Sequence, residues 1–226
     1  MTAQTDVVRA VAQIGIVPVV VVDDARHGLP LAEALRDGGI PCAEFTLRTP
    51  AGIGALEAAA KVDGFLSGAG TVLSARQTDA VADAGGRFIV SPGYSTAVNR
   101  RAHELGVAML PGVATPTELQ RARDDGYTHV KVFPAAVLGG PAYIDALAGP
   151  FPDMMLLPSG GLTPENLATY LQRPTVFAGS GSWMVPRAAI AAGDFVTIRR
   201  LARECRELCD RIRAEQIRAG QIRAEQ

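Results

Sequence analysis

The 226-residue sequence has very little lysine and few aromatic residues. Arginine carries almost all of the positive charge, and the only lysines are Lys61 and Lys131. Aromatic residues make up 5% of the chain and the net charge is −1, so no basic patch with interleaved aromatics is present. We therefore expect neither nucleic acid nor an anionic membrane surface as a partner.

Long hydrophobic runs are also absent. The longest apolar run, from Ile14 to Val22, is broken by Gly15 and Pro18 and is too short to span a bilayer. No basic segment followed by an apolar stretch opens the sequence, so no signal peptide is expected. These features predict a cytoplasmic protein without membrane contacts.

Cysteine and histidine are scarce as well. The three cysteines are an odd number without disulfide-framework spacing, which is typical of reduced thiols. The histidines, His27, His103 and His129, form no HxH motif or His/Asp cluster that resembles a zinc site. We expect no metal and no cofactor.

Short β-prone runs alternate with alanine-rich helical stretches through most of the chain. Eight such strand–helix units can be counted, with the first strand at Val17–Val22 and the eighth at Val176–Ala178. This pattern predicts an α/β protein with a parallel sheet, closed into a single (β/α)8 TIM barrel. An open doubly wound sheet is the weaker alternative, because the first strand leads into Asp23 and Asp24 rather than a GxGxxG turn.

The sequence divides into a barrel domain over residues 1–211 and a repetitive extension over residues 212–226. The extension repeats the five-residue unit Ile-Arg-Ala-x-Gln three times. A period of five does not follow the helical repeat, so its isoleucines do not form one stripe. We expect this segment to lie outside the catalytic body.

Lys131 is the most informative residue, because it lies in the apolar, β-prone stretch from Val130 to Phe133. A lysine in a buried strand must be paired or neutral, and a neutral amine can attack a carbonyl to form a Schiff base. The alternative is a lysine at the end of a strand with its ammonium group in solvent.

Charged side chains lie in and just after the second predicted strand, Cys42–Leu47. The two-residue period places Glu44, Thr46 and Arg48 on one face. If that face is the barrel interior, a carboxylate and a guanidinium share the cavity with Lys131. Charged side chains inside a barrel are costly, which favours a functional role over a structural one. The alternative is a simple salt bridge between Glu44 and Arg48.

Glycine-rich turns follow the last two predicted strands. Ser159-Gly160-Gly161 precedes a helix that Thr163 could cap, and Gly179-Ser180-Gly181-Ser182 follows strand eight. Many barrels bind phosphate at these two loops through backbone N–H groups and a helix N-terminus. The two loops together predict a phosphate site.

These motifs together resemble the 2-dehydro-3-deoxy-phosphogluconate aldolase family, also called 4-hydroxy-2-oxoglutarate aldolase. The resemblance follows the order of the family's motifs along the body of the chain. The matching segments are Val17–Val20, Glu44–Thr49, Gly68–Leu73, Ser91–Gly93, Leu110–Gly112, Lys131–Ala135, Ser159–Gly161 and Gly181–Trp183. Family members are (β/α)8 barrels, usually trimeric and free of metal, so the resemblance implies a homotrimer.

The resemblance also implies roles for individual residues. Lys131 would be the Schiff-base lysine and Glu44 the general acid and base. The residues that would bind the substrate carboxylate or line the pyruvate pocket are Arg48, Thr71, Pro92 and Phe133. The residues that would bind phosphate are Ser159, Gly160, Gly161, Gly181 and Ser182.

Three positions depart from the family pattern. Ser159 occurs where threonine is common and keeps the hydroxyl but loses a methyl group. Ser180 occurs at a position that is often glycine, and Ala136 replaces a common acidic residue after the lysine motif.

The implied function is that of a class I aldolase. It would cleave 2-dehydro-3-deoxy-6-phosphogluconate, a keto-acid sugar phosphate, to pyruvate and glyceraldehyde 3-phosphate. It would also split 4-hydroxy-2-oxoglutarate to pyruvate and glyoxylate. One alternative is an aldolase for the galactonate epimer, which the absence of an arginine after the first strand disfavours. Another is a catalytically idle barrel that serves as an assembly module.

Overall fold

The computed structural model describes residues 3–218 as strands alternating with helices. The strands are β1 (Ile16–Val20), β2 (Cys42–Thr46), β3 (Leu66–Gly70), β4 (Phe88–Val90), β5 (Ala108–Leu110), β6 (Gly112–Val113), β7 (His129–Val132), β8 (Met155–Pro158) and β9 (Gly179–Gly181). The helices are α1 (Ala3–Ile14), α2 (Gly28–Asp37), α3 (Gly52–Ala59), α4 (Ala75–Asp83), α5 (Thr96–Leu105), α6 (Pro116–Asp124), α7 (Pro141–Ala148), α8 (Leu167–Leu171), α9 (Arg187–Ala191) and α10 (Phe195–Arg218), with a 3-10 turn at Ala25–His27.

All strand pairs in the described residues are parallel, which confirms the predicted α/β class. One sheet has the order β5-β4-β3-β2-β1-β9, and a second has the order β6-β7-β8. The second sheet pairs Lys131 with Gly112 on one side and with Leu157 on the other. Helices cover the sheets, and the larger apolar cluster lies between the two layers.

The predicted eighth strand, Val176–Ala178, is displaced in the structure. Strand β9 is Gly179–Gly181, which pairs with Ile16–Pro18 of β1, whereas Val176 makes only an isolated bridge to Leu156. The prediction was wrong because it relied on local β-propensity, which is higher in the earlier segment. Backbone pairing with β1 instead decides which residues extend the sheet. Gly181 therefore lies at a strand end rather than in a loop.

Helix α1 was not predicted from the sequence, and it covers a second apolar cluster. Its valines Val7, Val8 and Val11 are buried. The strand residues in the same cluster are Val17, Phe88, Val90, Ala108, Leu110, Leu157, Phe177 and Ala178. The side chain of Gln4 also accepts a hydrogen bond from the Met109 N–H (2.7 Å) and donates one to the Met109 carbonyl (3.0 Å). This pair of hydrogen bonds connects α1 to β5.

Helix α10 continues through the predicted domain boundary between residues 211 and 212. Ile212 is buried, and the Gln216 side chain donates a 2.6 Å hydrogen bond to the Leu171 carbonyl. The rest of the repeat, residues 219–226, lies outside the described residues, so the boundary stays a prediction. Within residues 3–218, no helix is both long and apolar enough to cross a membrane.

Candidate active site

Lys131 of β7 and Glu44 of β2 face each other. The Lys131 Nζ lies 3.2 Å from the Glu44 Oε1, and the two residues are only 5% and 1% exposed. The predicted burial of Lys131 is confirmed, and the alternative of an ammonium group in solvent is wrong. The second carboxylate oxygen, Glu44 Oε2, is buried and has no hydrogen-bond partner among the described residues. One acceptor at this site is therefore available to a substrate or a water molecule.

The burial of this pair places an amine beside a carboxyl group, out of contact with water. An ion pair in such surroundings carries a desolvation cost, and only good geometry with further hydrogen bonds offsets it. The contact puts an acid–base group within hydrogen-bond distance of the amine that would attack a carbonyl carbon.

Gly70, at the end of β3, makes room for the Glu44 carboxyl group. A Cβ atom at Gly70 would lie 3.0 Å from Glu44 Cδ and 3.1 Å from its Oε1. Such contacts are closer than ordinary van der Waals distances. Any larger residue at this position would push the carboxylate away from its present place beside Lys131.

Arg48 and Thr71 lie together after β2 and β3. The Arg48 Nε donates a 3.4 Å hydrogen bond to the Thr71 hydroxyl. Thr71 is the only non-glycine residue with a positive φ (+60°) in the part of the chain that the structure describes. A β-branched residue in the left-handed region is strained, and such strain is concentrated at functional sites.

The alternative of a Glu44–Arg48 salt bridge is wrong. Arg48 forms no ion pair with any carboxylate between residues 3 and 218. Its guanidinium group is exposed at the site and can bind a carboxylate in the bidentate geometry that arginine favours.

Phe133 lies close to the Lys131 side chain, and Pro92 lies on the turn after β4. The Lys131 Nζ lies 5.5 Å from the centre of the Phe133 ring, within the range of a cation–π contact. Pro92 follows β4 on a turn in which the Ser91 hydroxyl donates to the Gly93 carbonyl (2.8 Å) and accepts from the Gly112 N–H (3.1 Å).

A cavity of about 290 Å³ adjoins this group and contains all five residues predicted to bind phosphate. Its lining residues are Val19, Val21, Arg48, Phe133, Ser159, Gly160, Gly161, Leu162, Ser180, Gly181 and Ser182. The Ser159 hydroxyl donates to the Ser180 hydroxyl at 3.3 Å. Arg48 and Phe133 therefore connect the Lys131–Glu44 pair with the predicted phosphate loops.

The helix after the Gly160-Gly161 turn begins later than predicted. Helix α8 starts at Leu167, and the residue before it is Asn166 rather than Thr163. The Thr163 N–H donates to Asn166 Oδ1 (2.9 Å), and Asn166 Nδ2 donates to the Gly161 carbonyl (2.9 Å). The prediction that Thr163 caps the helix was wrong, because a loop held by the Asn166 amide occupies the intended first turn. Asn166 was not predicted from the sequence, although asparagine just before a helix is a recognisable signal.

Metal ligands do not cluster in the described part of the chain. No group of three or more His, Cys, Asp or Glu side chains there could hold a metal ion. A buried amine beside a carboxylate, at the ends of parallel strands, is instead typical of enzymes that form a Schiff base with a carbonyl substrate.

The sequence matches the family described as "Aldolase: KDPG and KHG aldolase" over residues 7–201. The chain belongs to this family, which confirms the resemblance of its motifs.

Similar proteins carry matching names. A 2-dehydro-3-deoxy-phosphogluconate aldolase of Pseudoalteromonas atlantica is 43% identical over 190 residues, which cover 84% of this chain and 88% of the relative. A KHG/KDPG aldolase of Escherichia coli K12 is 41% identical, with 85% and 91% covered. A crystal structure of the KDPG aldolase from Legionella pneumophila is 39% identical, with a TM-score of 0.83 and 87% and 96% covered. That structure contains pyruvate captured at low pH as a covalent carbinolamine intermediate.

Proposed function

We propose that the protein is a class I aldolase, an aldehyde-lyase. It cleaves 2-dehydro-3-deoxy-6-phosphogluconate to pyruvate and glyceraldehyde 3-phosphate through a Schiff base on Lys131, and it also cleaves 4-hydroxy-2-oxoglutarate to pyruvate and glyoxylate. The observation that carries this proposal is the buried contact of 3.2 Å between Lys131 Nζ and Glu44 Oε1. Membership of the family and the names of its relatives support the substrate.

The first steps build the imine. The neutral Lys131 amine attacks the C2 ketone of the substrate, and the resulting carbinolamine loses water to give a protonated imine. Protons are needed at the departing oxygen, and Glu44 is the buried acid that lies within reach of Lys131 Nζ. The carbinolamine captured in the Legionella relative supports this sequence of steps.

Glu44 then takes part in carbon–carbon bond cleavage. Directly or through a water molecule, its carboxylate removes the proton of the C4 hydroxyl group, and the C3–C4 bond breaks as the aldehyde forms. The bonding electrons move onto C3 and into the iminium, giving an enamine. Protonation at C3 and hydrolysis of the imine release pyruvate and restore the Lys131 amine. The free lone pairs of Glu44 Oε2 support this role.

Arg48 and Thr71 bind the carboxylate end of the substrate, and Pro92 and Phe133 line the pyruvate pocket. The guanidinium group of Arg48 has no protein carboxylate as a partner within residues 3–218 and is held by the Thr71 hydroxyl. The phosphate is at the other end of the substrate and lies against the glycine-rich turns of the 290 Å³ cavity, which Arg48 also lines. The residues that bind it are Ser159, Gly160, Gly161, Gly181 and Ser182.

The two sheets close into a single (β/α)8 barrel. Two features of the described strands support closure. Only Pro111 separates β5 from β6, and the Pro111 carbonyl accepts a 2.9 Å hydrogen bond from the Lys131 N–H. On the other side, bridges Leu156–Val176 and Ser159–Ser180 join β8 to the segment that contains β9. Counting β5 and β6 as one interrupted strand gives eight.

The protein works as a cytoplasmic homotrimer in carbohydrate acid metabolism. Apolar side chains exposed near the strand ends support self-association, since Leu73 is 60% and Val137 is 85% exposed. Light scattering coupled to gel filtration tests the trimer: a mass three times that of the chain is expected, and a monomer at micromolar concentration contradicts it.

A direct comparison of substrates tests the activity. We expect the highest kcat/KM for the phosphorylated gluconate substrate, measurable cleavage of 4-hydroxy-2-oxoglutarate, and a lower value for the phosphorylated galactonate epimer. A strong preference for the galactonate epimer would overturn the choice of substrate. Absence of turnover with all three compounds would favour an idle barrel used for assembly.

A further inference from the structure

We infer that Asn166 is a positioning residue for phosphate binding, which it controls by orienting the Gly160–Leu162 backbone. This inference rests on the proposed function, because it concerns the phosphate end of the same site. Asn166 itself does not line the cavity. It acts through the peptide groups that do.

The Asn166 amide spans the loop between β8 and α8. Its Nδ2 donates to the Gly161 carbonyl at 2.9 Å, and its Oδ1 accepts from the Thr163 N–H at 2.9 Å. Both ends of one planar group are therefore used, and Gly161 and Thr163 are held at a fixed separation. The Asn166 carbonyl accepts hydrogen bonds from the Thr169 hydroxyl (2.7 Å) and from the Thr169 N–H (3.1 Å), so it keeps a partner when the hydroxyl is lost.

The orientation of the Gly161 carbonyl determines where the next N–H points. In a trans peptide, the carbonyl and the N–H of the following residue point in opposite directions. Because Asn166 holds the Gly161 carbonyl, the Leu162 N–H is turned away from Asn166. Leu162 lines the 290 Å³ cavity, so its N–H lies beside the space in which an anion would bind.

The preceding peptide group is oriented in the same manner. The Ala136 N–H donates to the Gly160 carbonyl at 3.0 Å, which turns the Gly161 N–H in the opposite direction. Neither the Gly161 N–H nor the Leu162 N–H has an acceptor within residues 3–218. Two consecutive N–H groups without a protein acceptor are available to hydrogen-bond an anion.

The backbone angles of Gly160 and Gly161 are not fixed by these residues themselves, so a hydrogen bond from another residue is needed to hold them. Gly160 and Gly161 have φ values of +90° and +83°, a region that glycine enters freely but also leaves freely. Without the Asn166 amide, the Gly161–Leu162 peptide can rotate and present its carbonyl oxygen to the phosphate, which repels it.

Two substrates separate this role from a general structural one. In N166A, we expect kcat/KM for 2-dehydro-3-deoxy-6-phosphogluconate to fall on the order of 10-fold or more, mainly through KM. For 4-hydroxy-2-oxoglutarate, which has no phosphate, kcat/KM should change less than about 2-fold. T169V is the matched control, because it removes a hydrogen bond at the same helix start but leaves both bonds of the Asn166 amide in place.

Direct binding of inorganic phosphate provides a second measurement that does not depend on turnover. Calorimetry should show weaker phosphate binding to N166A than to the wild type and to T169V, with equal thermal midpoints of unfolding for the two variants. Equal losses on both substrates, or unchanged phosphate affinity in folded N166A, would overturn the inference. If the wild type cleaves neither substrate, the proposed function fails, while the phosphate measurement still decides the role of Asn166.

Discussion

At the scale of single residues, the geometry around Glu44 depends on Gly70, a residue without a Cβ atom. Lys131 and Glu44 can exchange a proton only while their side chains stay within hydrogen-bond distance. The neighbouring strand approaches the carboxyl group closely: a Cβ atom at Gly70 would lie 3.0 Å from Glu44 Cδ, and the carboxyl group would have to shift to accommodate it. Gly70 therefore positions the acid–base group without carrying chemistry of its own.

G70A tests this dependence. The added methyl group should displace the Glu44 carboxyl group and lower kcat by about 10–100-fold, because a misplaced proton acceptor loses most of its catalytic effect. Steady-state kinetics of the phosphorylated substrate give the measurement. G149A is the matched control, since a Cβ at Gly149 meets nothing nearer than 3.7 Å. A kcat within about 2-fold of the wild type in folded G70A would show that Glu44 does not need this space.

Strand periodicity explains why much of the site could be predicted at the residue scale. Lys131 in an apolar strand and Glu44 on one face of another were predicted to share a cavity, and the structure brings them together. The position of Asn166 could not be predicted in the same way. Its side chain serves a loop, where no periodic pattern indicates which backbone groups an amide will bind.

At the scale of secondary-structure elements, α1 depends on one polar side chain as well as on its valines. The Gln4 amide pairs with both backbone groups of Met109 in β5. Without this pairing, the Met109 N–H and carbonyl would have to find other partners beside a buried apolar cluster.

In Q4A, we expect the free energy of unfolding to fall by about 1–2 kcal/mol, because two hydrogen bonds to the Met109 backbone are lost. Urea unfolding followed by circular dichroism measures this difference. Q13A serves as the control, since Gln13 is exposed on the same helix and its side chain bonds to no residue between 3 and 218, while its carbonyl accepts from Arg206. Equal stability of Q4A and Q13A would contradict the role assigned to Gln4.

Some strands were predicted more accurately than others, for physical reasons. The strands β2 and β7 combine β-branched or aromatic residues with a clear boundary, and their predicted ranges, Cys42–Leu47 and Val130–Phe133, overlap the observed ones. Strand β9 consists of glycine and serine, which have low β-propensity, so only its pairing with β1 identifies it. Local propensity does not contain that information.

At the scale of the whole molecule, the stability should depend on pH through one half-buried histidine. Burial lowers the pKa of His129 from 6.5 to about 4. Its ring packs edge-on against Phe177, with ring centres 4.9 Å apart. Below about pH 6.5 the unfolded chain binds a proton at this residue that the folded chain does not bind, so folding becomes less favourable.

We therefore expect the free energy of unfolding to fall as the pH drops from about 6.5 to about 4. His129 should contribute about 1–2 kcal/mol, less than the full pKa difference implies, because solvent screens its partly exposed ring. Urea titrations at several pH values in this range provide the measurement. H129Q should lose this part of the pH dependence, whereas H103Q, which changes an exposed residue of α5, should keep it. If H129Q keeps the wild-type pH dependence, His129 is not its source.

The central claim for the molecule is that Lys131 forms a Schiff base with pyruvate. The most direct test is incubation with pyruvate and borohydride, followed by mass spectrometry of the digested protein. Reduction of the imine should leave one pyruvate-derived adduct per chain, located on Lys131 and absent from Lys61. An adduct elsewhere, or no adduct on Lys131 in folded protein, would contradict the account.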